Sequence, residues 1–297
     1  MTIRRNFMAG CAAALVALSL TVEADARTKK KPAPVDPAIV AVQALDPTTA
    51  AALDAAIAGA HRSDANKARD QFRHPKETLA FFGLKPDMKV LEVVPGGGWF
   101  TEILAPTLRE KGQLTITGGN PNAAGGRQGL STLLAKFAKD PGVYDKVQFT
   151  GTWQAAEQRV QPASLDMIVT FRNVHNFVYN KSVDQQFKDW HAMLKPGGVL
   201  GIEEHRWPEG KPNDVKPNNR SGNGYLTESE VIALATAAGF KLVAKSEINA
   251  NPKDTKDYAN GVWALPPTLA GGDVDKDKFL AIGESDRMVL KFVKPAA

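Results

Sequence analysis

The chain has 297 residues, 43% of them hydrophobic, and a formal net charge of +5. That length suits one large or two small domains, and the apolar fraction supports a globular core. Arg27, Lys29, Lys30 and Lys31 supply four of the five excess charges, so the remainder is nearly neutral and a nucleic-acid partner is not expected.

Arg4 and Arg5 precede an apolar stretch at 7–22, and Ala24-Asp25-Ala26 fits a small-x-small cleavage site. Residues 1–26 therefore read as a secretory signal peptide, with a periplasmic or secreted destination. Arg4-Arg5-Asn6-Phe7-Met8 also resembles a twin-arginine signal, which exports folded proteins. The competing reading is an uncleaved anchor, but the stretch is short for a span, so no stable membrane span is expected after cleavage. Cys11, the single cysteine, leaves with the peptide, which excludes disulfides, thiol chemistry and thiolate metal sites from the mature chain. Residues 27–46 carry the basic run and a Lys-Pro-Ala-Pro segment and read as an extended tether. The folded domain is expected over 47–297.

Helices are predicted over 48–58, from a Ser63 cap through residue 72, and from Pro75 to a stop at Gly83. Strands at 89–94, 113–117, 146–149, 167–171 and 199–203 alternate with helices at 100–109, 130–138, 182–194 and 227–238. Two alternating segments, 240–247 and 287–293, complete the sheet. Strands separated by helices imply an α/β, Rossmann-like, doubly wound and mostly parallel sheet of seven strands, the last pair adding an antiparallel edge strand. Two long connections, 207–225 and 249–285, are candidate lids or substrate loops, and Arg220 and Tyr225 in the first could supply an anion grip and a hydroxyl donor.

The most informative stretch is Val90-Leu91-Glu92-Val93-Val94-Pro95-Gly96-Gly97-Gly98-Trp99-Phe100-Thr101-Glu102. An apolar strand ends in a carboxylate and a glycine cluster that opens a helix, which is how such a sheet builds a nucleotide-type site. Leu165-Asp166-Met167-Ile168-Val169-Thr170-Phe171, followed by Arg172-Asn173-Val174-His175-Asn176, and Leu194-Lys195-Pro196-Gly197-Gly198-Val199-Leu200 follow in order. Together these segments resemble class I S-adenosylmethionine-dependent methyltransferases over residues 64–248. Pro-Gly-Gly-Gly-Trp-Phe-Thr and the ending Gly-Glu-Ser-Asp-Arg-Met-Val-Leu-Lys-Phe are similar to a bacterial subgroup of often exported members. The resemblance implies S-adenosylmethionine as cofactor and methyl transfer to an unidentified small molecule. It also implies cofactor contacts from Glu92, Pro95, Gly96, Gly97, Gly98 and Asn173. Two positions depart from the pattern. Val94 stands where a glycine is usual, and the second strand ends in Gly118-Gly119-Asn120 without a carboxylate, leaving Asn120 to meet the ribose. Trp153, after the third strand, is a candidate to stack on adenine, with a buried core tryptophan as the alternative.

On the reaction side, His175 follows the fourth strand and Glu203, Glu204, His205 and Arg206 follow the fifth. Ligands bind at the carboxyl ends of such strands, so these groups are expected over one crevice. Alternation puts Glu203 and Glu204 on opposite faces. The catalytic candidates are His175, His205, Glu204 and Tyr225, one histidine handling a proton and Glu204, beside His205, fixing its tautomer. A metal bound by His175, His205 and Glu204 competes with this reading, but the spacing forms no local motif and no metal is assigned. The alternative functions are a cofactor-independent hydrolase or lyase using the same His/Glu cluster, and a binding protein without chemistry.

Overall fold

A computed structural model describes residues 45–213 and 222–296. The expected signal peptide, Cys11, residues 27–44 of the tether and Arg220 lie outside the described residues. The described residues all belong to one compact unit, Pro37–Ala297.

Local chemistry sets the first elements. The Asp46 side chain accepts from the Thr49 amide and starts α1 (Pro47–Ala58). Ser63 caps α2 (Asp64–Lys67), which leads to α3 (Asp70–Arg73) and α4 (Pro75–Phe82). Pro75 opens α4, and Gly83, at φ +84°, closes it in the left-handed conformation that glycine adopts without strain. The sheet then begins with β1 (Lys89–Val93), α5 (Thr101–Leu108) and β2 (Gln113–Thr117). Three short helices follow, α6 (Ala124–Gly129), α7 (Ser131–Lys139) and α8 (Pro141–Tyr144), before β3 (Gln148–Thr150). Next come β4 (Leu165–Phe171), α9 (Val174–Tyr179), α10 (Val183–Met193) and β5 (Leu194–Trp207). The last elements are β6 (Leu226–Thr227), α11 (Glu228–Ala237), β7 (Lys241–Ser246), α12 (Lys276–Ile282) and β8 (Arg287–Val293). A reciprocal capping box between Thr227 and Glu230 starts α11.

The main sheet runs β3-β2-β1-β4-β5-β8-β7, with the two-residue β6 beside β5. Strands β1 to β5 pair in parallel, and β8 lies antiparallel between β5 and β7. The antiparallel pairings therefore sit at that end of the sheet, with β8 one strand in from the edge. Because β7 points toward the carboxyl edge and β8 away from it, the segment between them begins and ends at that edge. It is the 249–285 connection, and it is placed to roof the ligand side of the sheet.

Two apolar layers cover the sheet. Val90, Leu114 and Met167 pack with Ile103 and Leu104 of α5, while Leu91, Val93 and Ile168 pack with Phe187 and Trp190 of α10. Strand parity follows from this: Glu92 shares the α5 face with Val90, and Leu91 takes the other. Among the described residues no helix is long and apolar enough to cross a membrane.

Candidate active site

The turn after β1 sits where the connections diverge, β2 on one side and β4 on the other, the position at which open α/β sheets bind ligands. Val94 has φ +50°, Gly96 +58° and Gly98 +76°. The glycines need no side-chain clearance there, but Val94 is β-branched and strained. Its amide donates to Thr117 Oγ1 at 2.7 Å. Asn173 Nδ2 donates to the carbonyls of Val93, Val94 and Phe171 at 3.2, 3.1 and 3.1 Å. The turn is thus held from β2 and from β4.

A cavity of about 660 Å³ opens beside this turn, walled by Pro95 and Gly96, by Gly118 and Gly119 after β2, and by Gly125 and Gly126 of α6. A Cβ on Gly96 would meet nothing within 4 Å, so that glycine faces open space. A Cβ on Gly98 would strike Leu133, so that glycine lets α5 and α7 approach. Gly97 lies off the wall, its carbonyl accepting from Lys136 Nζ at 2.8 Å.

Several expected cofactor contacts fall elsewhere. Glu92 lines neither cavity: it is buried under α5, where Oε2 accepts from Thr101 Oγ1 at 2.6 Å. Burial pushes its carboxyl up to about 7, against the opposing pull of that hydroxyl and of Lys136 and Arg172. Strand parity is the reason, since Glu92 follows Val90 onto the α5 face. Asn120 Oδ1 accepts from the Asn122 amide at 2.9 Å and closes a local turn instead of facing the cavity. Trp153 is exposed, its indole N–H donating to the Gly118 carbonyl at 3.1 Å, so it latches β3 to β2 outside the cavity. Asn173 acts through the turn carbonyls. Among the described residues the carboxylate on the cavity wall is Asp189 of α10, which no strand-end pattern marks.

A second cavity of about 620 Å³ lies over the ends of β4 and β5 and shares Val94 with the first. Trp263, Pro266 and Pro267 of the 249–285 connection roof it, as the topology requires. His175 and His205 both line it, with ring centroids 5.5 Å apart. Glu203 and Glu204 face opposite ways, as alternation demands. Glu204 is fully buried and orients His175, not its chain neighbour His205: Oε1 accepts from His175 Nδ1 at 2.9 Å. Its Oε2 accepts from the Val174 and His175 amides at 2.5 and 3.3 Å, and the His205 amide donates to Oε1 at 2.9 Å. A carboxylate only accepts, so Nδ1 carries a proton, and Nε2 is the ring atom left free to accept when the imidazole is neutral. His205 Nδ1 meets Ser285 Oγ at 2.6 Å. Burial, followed by the charges of His175, Arg172, Arg287 and Arg73, holds the His205 imidazole well below its usual range and keeps it neutral.

Tyr225 lies outside this cavity. Its hydroxyl donates to both oxygens of Asp254 at 3.1 Å, and burial, then Asp254, pushes the phenol far up. Arg206 faces away too, paired with Asp286, Glu228 and Glu247. Arg73, Arg172 and Glu284 reach the cavity from α3, the β4 end and the start of β8. They stand far apart in the chain, and no local spacing announces them.

His175, Glu204 and His205 bring ligand atoms within 4.8 Å of one another, close enough for a metal. Glu204 is nevertheless committed to N–H donors on both oxygens, and arginines surround the group. That setting suits an anion better than a cation.

No family model matches the chain. It is 26% identical over 204 residues to a sterol 24-C-methyltransferase of Gibberella zeae, covering 65% of this chain and 49% of that one. The chain thus spans about half the length of that relative. A solved S-adenosylmethionine-dependent methyltransferase from Aquifex aeolicus superposes with a TM-score of 0.50 at 16% identity, covering 76% of this chain and 93% of the other. The cyclase SpnF superposes with a TM-score of 0.52 at 16% identity, covering 84% and 94%. The fold is that of the class I S-adenosylmethionine-dependent methyltransferases.

Proposed function

We propose that the protein transfers a methyl group from S-adenosylmethionine to a small molecule. The observation that carries this reading is the pair of cavities meeting at Val94, one cradled by glycines and the other holding the Glu204–His175 pair. The fold alone does not decide the matter, since a cyclase shares it. Relatives of methyltransferase type support the reading, and the hydrolase or lyase alternative gains nothing from them.

The first cavity fits the cofactor on its own geometry. Gly96 leaves open space where a side chain would intrude, while Gly119 and Gly126 let the segment after β2 and α6 pack backbone against backbone to form another part of the wall. Pro95, Gly96, Gly118 and Gly119 would hold the ligand, with Asp189, Gln186 and Arg159 among the polar side chains on the wall. When bound, S-adenosylmethionine supplies an electrophilic methyl group. The protein's share is alignment, a positioning task, together with removal of a proton from an acceptor that carries one. His175 Nε2 is the atom that would take it, with Glu204 holding the ring.

Calorimetry with S-adenosylhomocysteine tests the cofactor site. A saturable signal is expected for the full chain and for Gly97→Ala, whose new methyl group points at open space off the cavity wall. Gly96→Val should abolish it. His175→Ala should bind normally yet lower turnover by about a hundredfold or more, the usual scale of general acid–base catalysis. No binding by the folded wild-type protein at millimolar ligand would end the methyl-transfer reading.

We further propose export, on the charged start, apolar stretch and Ala24-Asp25-Ala26 site. The periplasmic form should begin at Arg27 on N-terminal sequencing. A protein confined to the cytoplasm with Met1 intact would refute this.

A further inference from the structure

One wall of the second cavity belongs to a buried charge cluster that the proton-handling pair does not use. Glu284 accepts from Arg69 Nε at 2.7 Å, from Arg73 Nε at 2.8 Å and from Arg287 Nη1 at 3.1 Å. Glu203 accepts from Arg172 Nη1 at 2.6 Å, from Arg287 Nη1 at 3.1 Å and from Asn249 Nδ2 at 2.9 Å. Four guanidinium groups thus surround Glu203 and Glu284, and Glu204 is the third carboxylate in the neighbourhood. One positive charge is left over.

The excess has a direction. Arg73 is 3% exposed and lines the cavity. Its Nε is committed to Glu284 and its guanidinium lies 4.7 Å from the Trp99 ring centroid, while its two terminal nitrogens have no hydrogen-bond partner among the described residues. Arg172 lines the same wall and uses only Nη1. Guanidinium nitrogens left free on a cavity wall can meet an anion with charge-assisted bonds. The 249–285 connection adds Trp263, Pro266 and Pro267 to the lining.

We propose that this cavity is a seat for a small carboxylic acid, the carboxylate held by Arg73 and Arg172 and an apolar or aromatic body lying against Trp263 and the proline pair. A single excess charge matches a monoanion. The seat deepens the methyl-transfer reading by naming the acceptor's class, and it rests on that reading only in calling the acid a substrate. His175 and His205 lie in the same cavity, where the proton-bearing group of a hydroxy or amino acid would meet them.

The test is calorimetry of the full chain with benzoate, 3-phenylpropionate, benzamide and phenyl phosphate, beside S-adenosylhomocysteine. At least one of the two carboxylates should saturate, and benzamide should bind at least about tenfold more weakly than benzoate, the scale of hydrogen bonds to a charged group. Arg73→Gln and Arg172→Gln should each lose a similar factor for the carboxylate and leave S-adenosylhomocysteine unchanged. Arg172, partly exposed where Arg73 is buried, keeps the test informative if the Arg73 variant fails to fold. Equal binding of benzamide and benzoate, full carboxylate affinity in Arg172→Gln, or no saturation by either carboxylate would overturn the seat. Tenfold tighter phenyl phosphate would overturn the carboxylate assignment. The two readings fail separately. Carboxylate binding without S-adenosylhomocysteine binding leaves the seat and removes the cofactor, and the reverse removes the seat alone.

Discussion

Two buried carboxylates, Glu92 on β1 and Glu204 on β5, show how a single side chain's surroundings decide what it does. Glu204 is saturated with N–H donors and holds His175. Glu92 accepts from the Thr101 hydroxyl and, among the described residues, has no ion-pair partner, so burial dominates and pushes its carboxyl up to about 7 from its ordinary 4.5. Between those pH values the native protein holds a proton that the unfolded chain has released. Stability therefore falls as pH rises through that window and levels off above it, by an amount bounded at about 3 kcal/mol. Glu92→Gln removes the titration while keeping an acceptor for Thr101. Chemical denaturation at pH 5 and pH 8 should show the wild type losing more stability than the variant over that interval. Parallel losses in the two proteins would mean that Glu92 is charged in the native state. Glu284 behaves oppositely. Burial would raise it, but the guanidinium groups of Arg73, Arg287, Arg172 and Arg69 prevail and hold it near 2, so its contribution is full above its ordinary 4.5 and is lost as pH falls from there toward 2.

At the scale of elements, the β1 turn is where the chain tolerates strain. Val94 holds a left-handed backbone that costs an L-residue about 1–2 kcal/mol, whereas glycine in its place would lose only about 0.5–1 kcal/mol of chain entropy. The side chain is 45% exposed, so little packing is at stake. Val94→Gly should therefore be neutral to about 1 kcal/mol more stable in urea denaturation. A destabilised variant would show that the isopropyl group is needed to hold the turn. The position is not arbitrary, because Val94 borders both cavities and a glycine would remove the partition between them. Strain kept where two ligands would meet is a common mark of a functional position. The glycine cluster itself divides by role: Gly96 clears the ligand side, Gly98 clears Leu133, and Gly97 does neither.

For the whole molecule, the order of the seven main strands, the glycine turn at the switch point and the opposite facing of Glu203 and Glu204 were legible from period, punctuation and parity, whereas the short α9, α12 and β6 were not. These are local signals, fixed by 3.6-residue and two-residue repeats and by the residues that end them. Glu92 was expected at the cofactor, yet it shares the α5 face with Val90 and lines neither cavity. What the sequence could not reveal depended on contacts between distant segments. Glu204 chose His175 over its neighbour His205 because β4 and β5 lie side by side and α9 presents its amides to that carboxylate. Tyr225 turned to Asp254, and Asn120 and Trp153 spent their polar atoms on nearby backbone. Arg73, Arg172, Glu284 and Arg287 span more than two hundred residues and meet only because β8 enters between β5 and β7 and α3 closes over its start. Sequence by itself determined the sheet and the place of the crevice, because backbone geometry is set locally. The tertiary structure alone decided which charges face one another across it, because burial makes an ionised group depend on whatever partner the fold delivers.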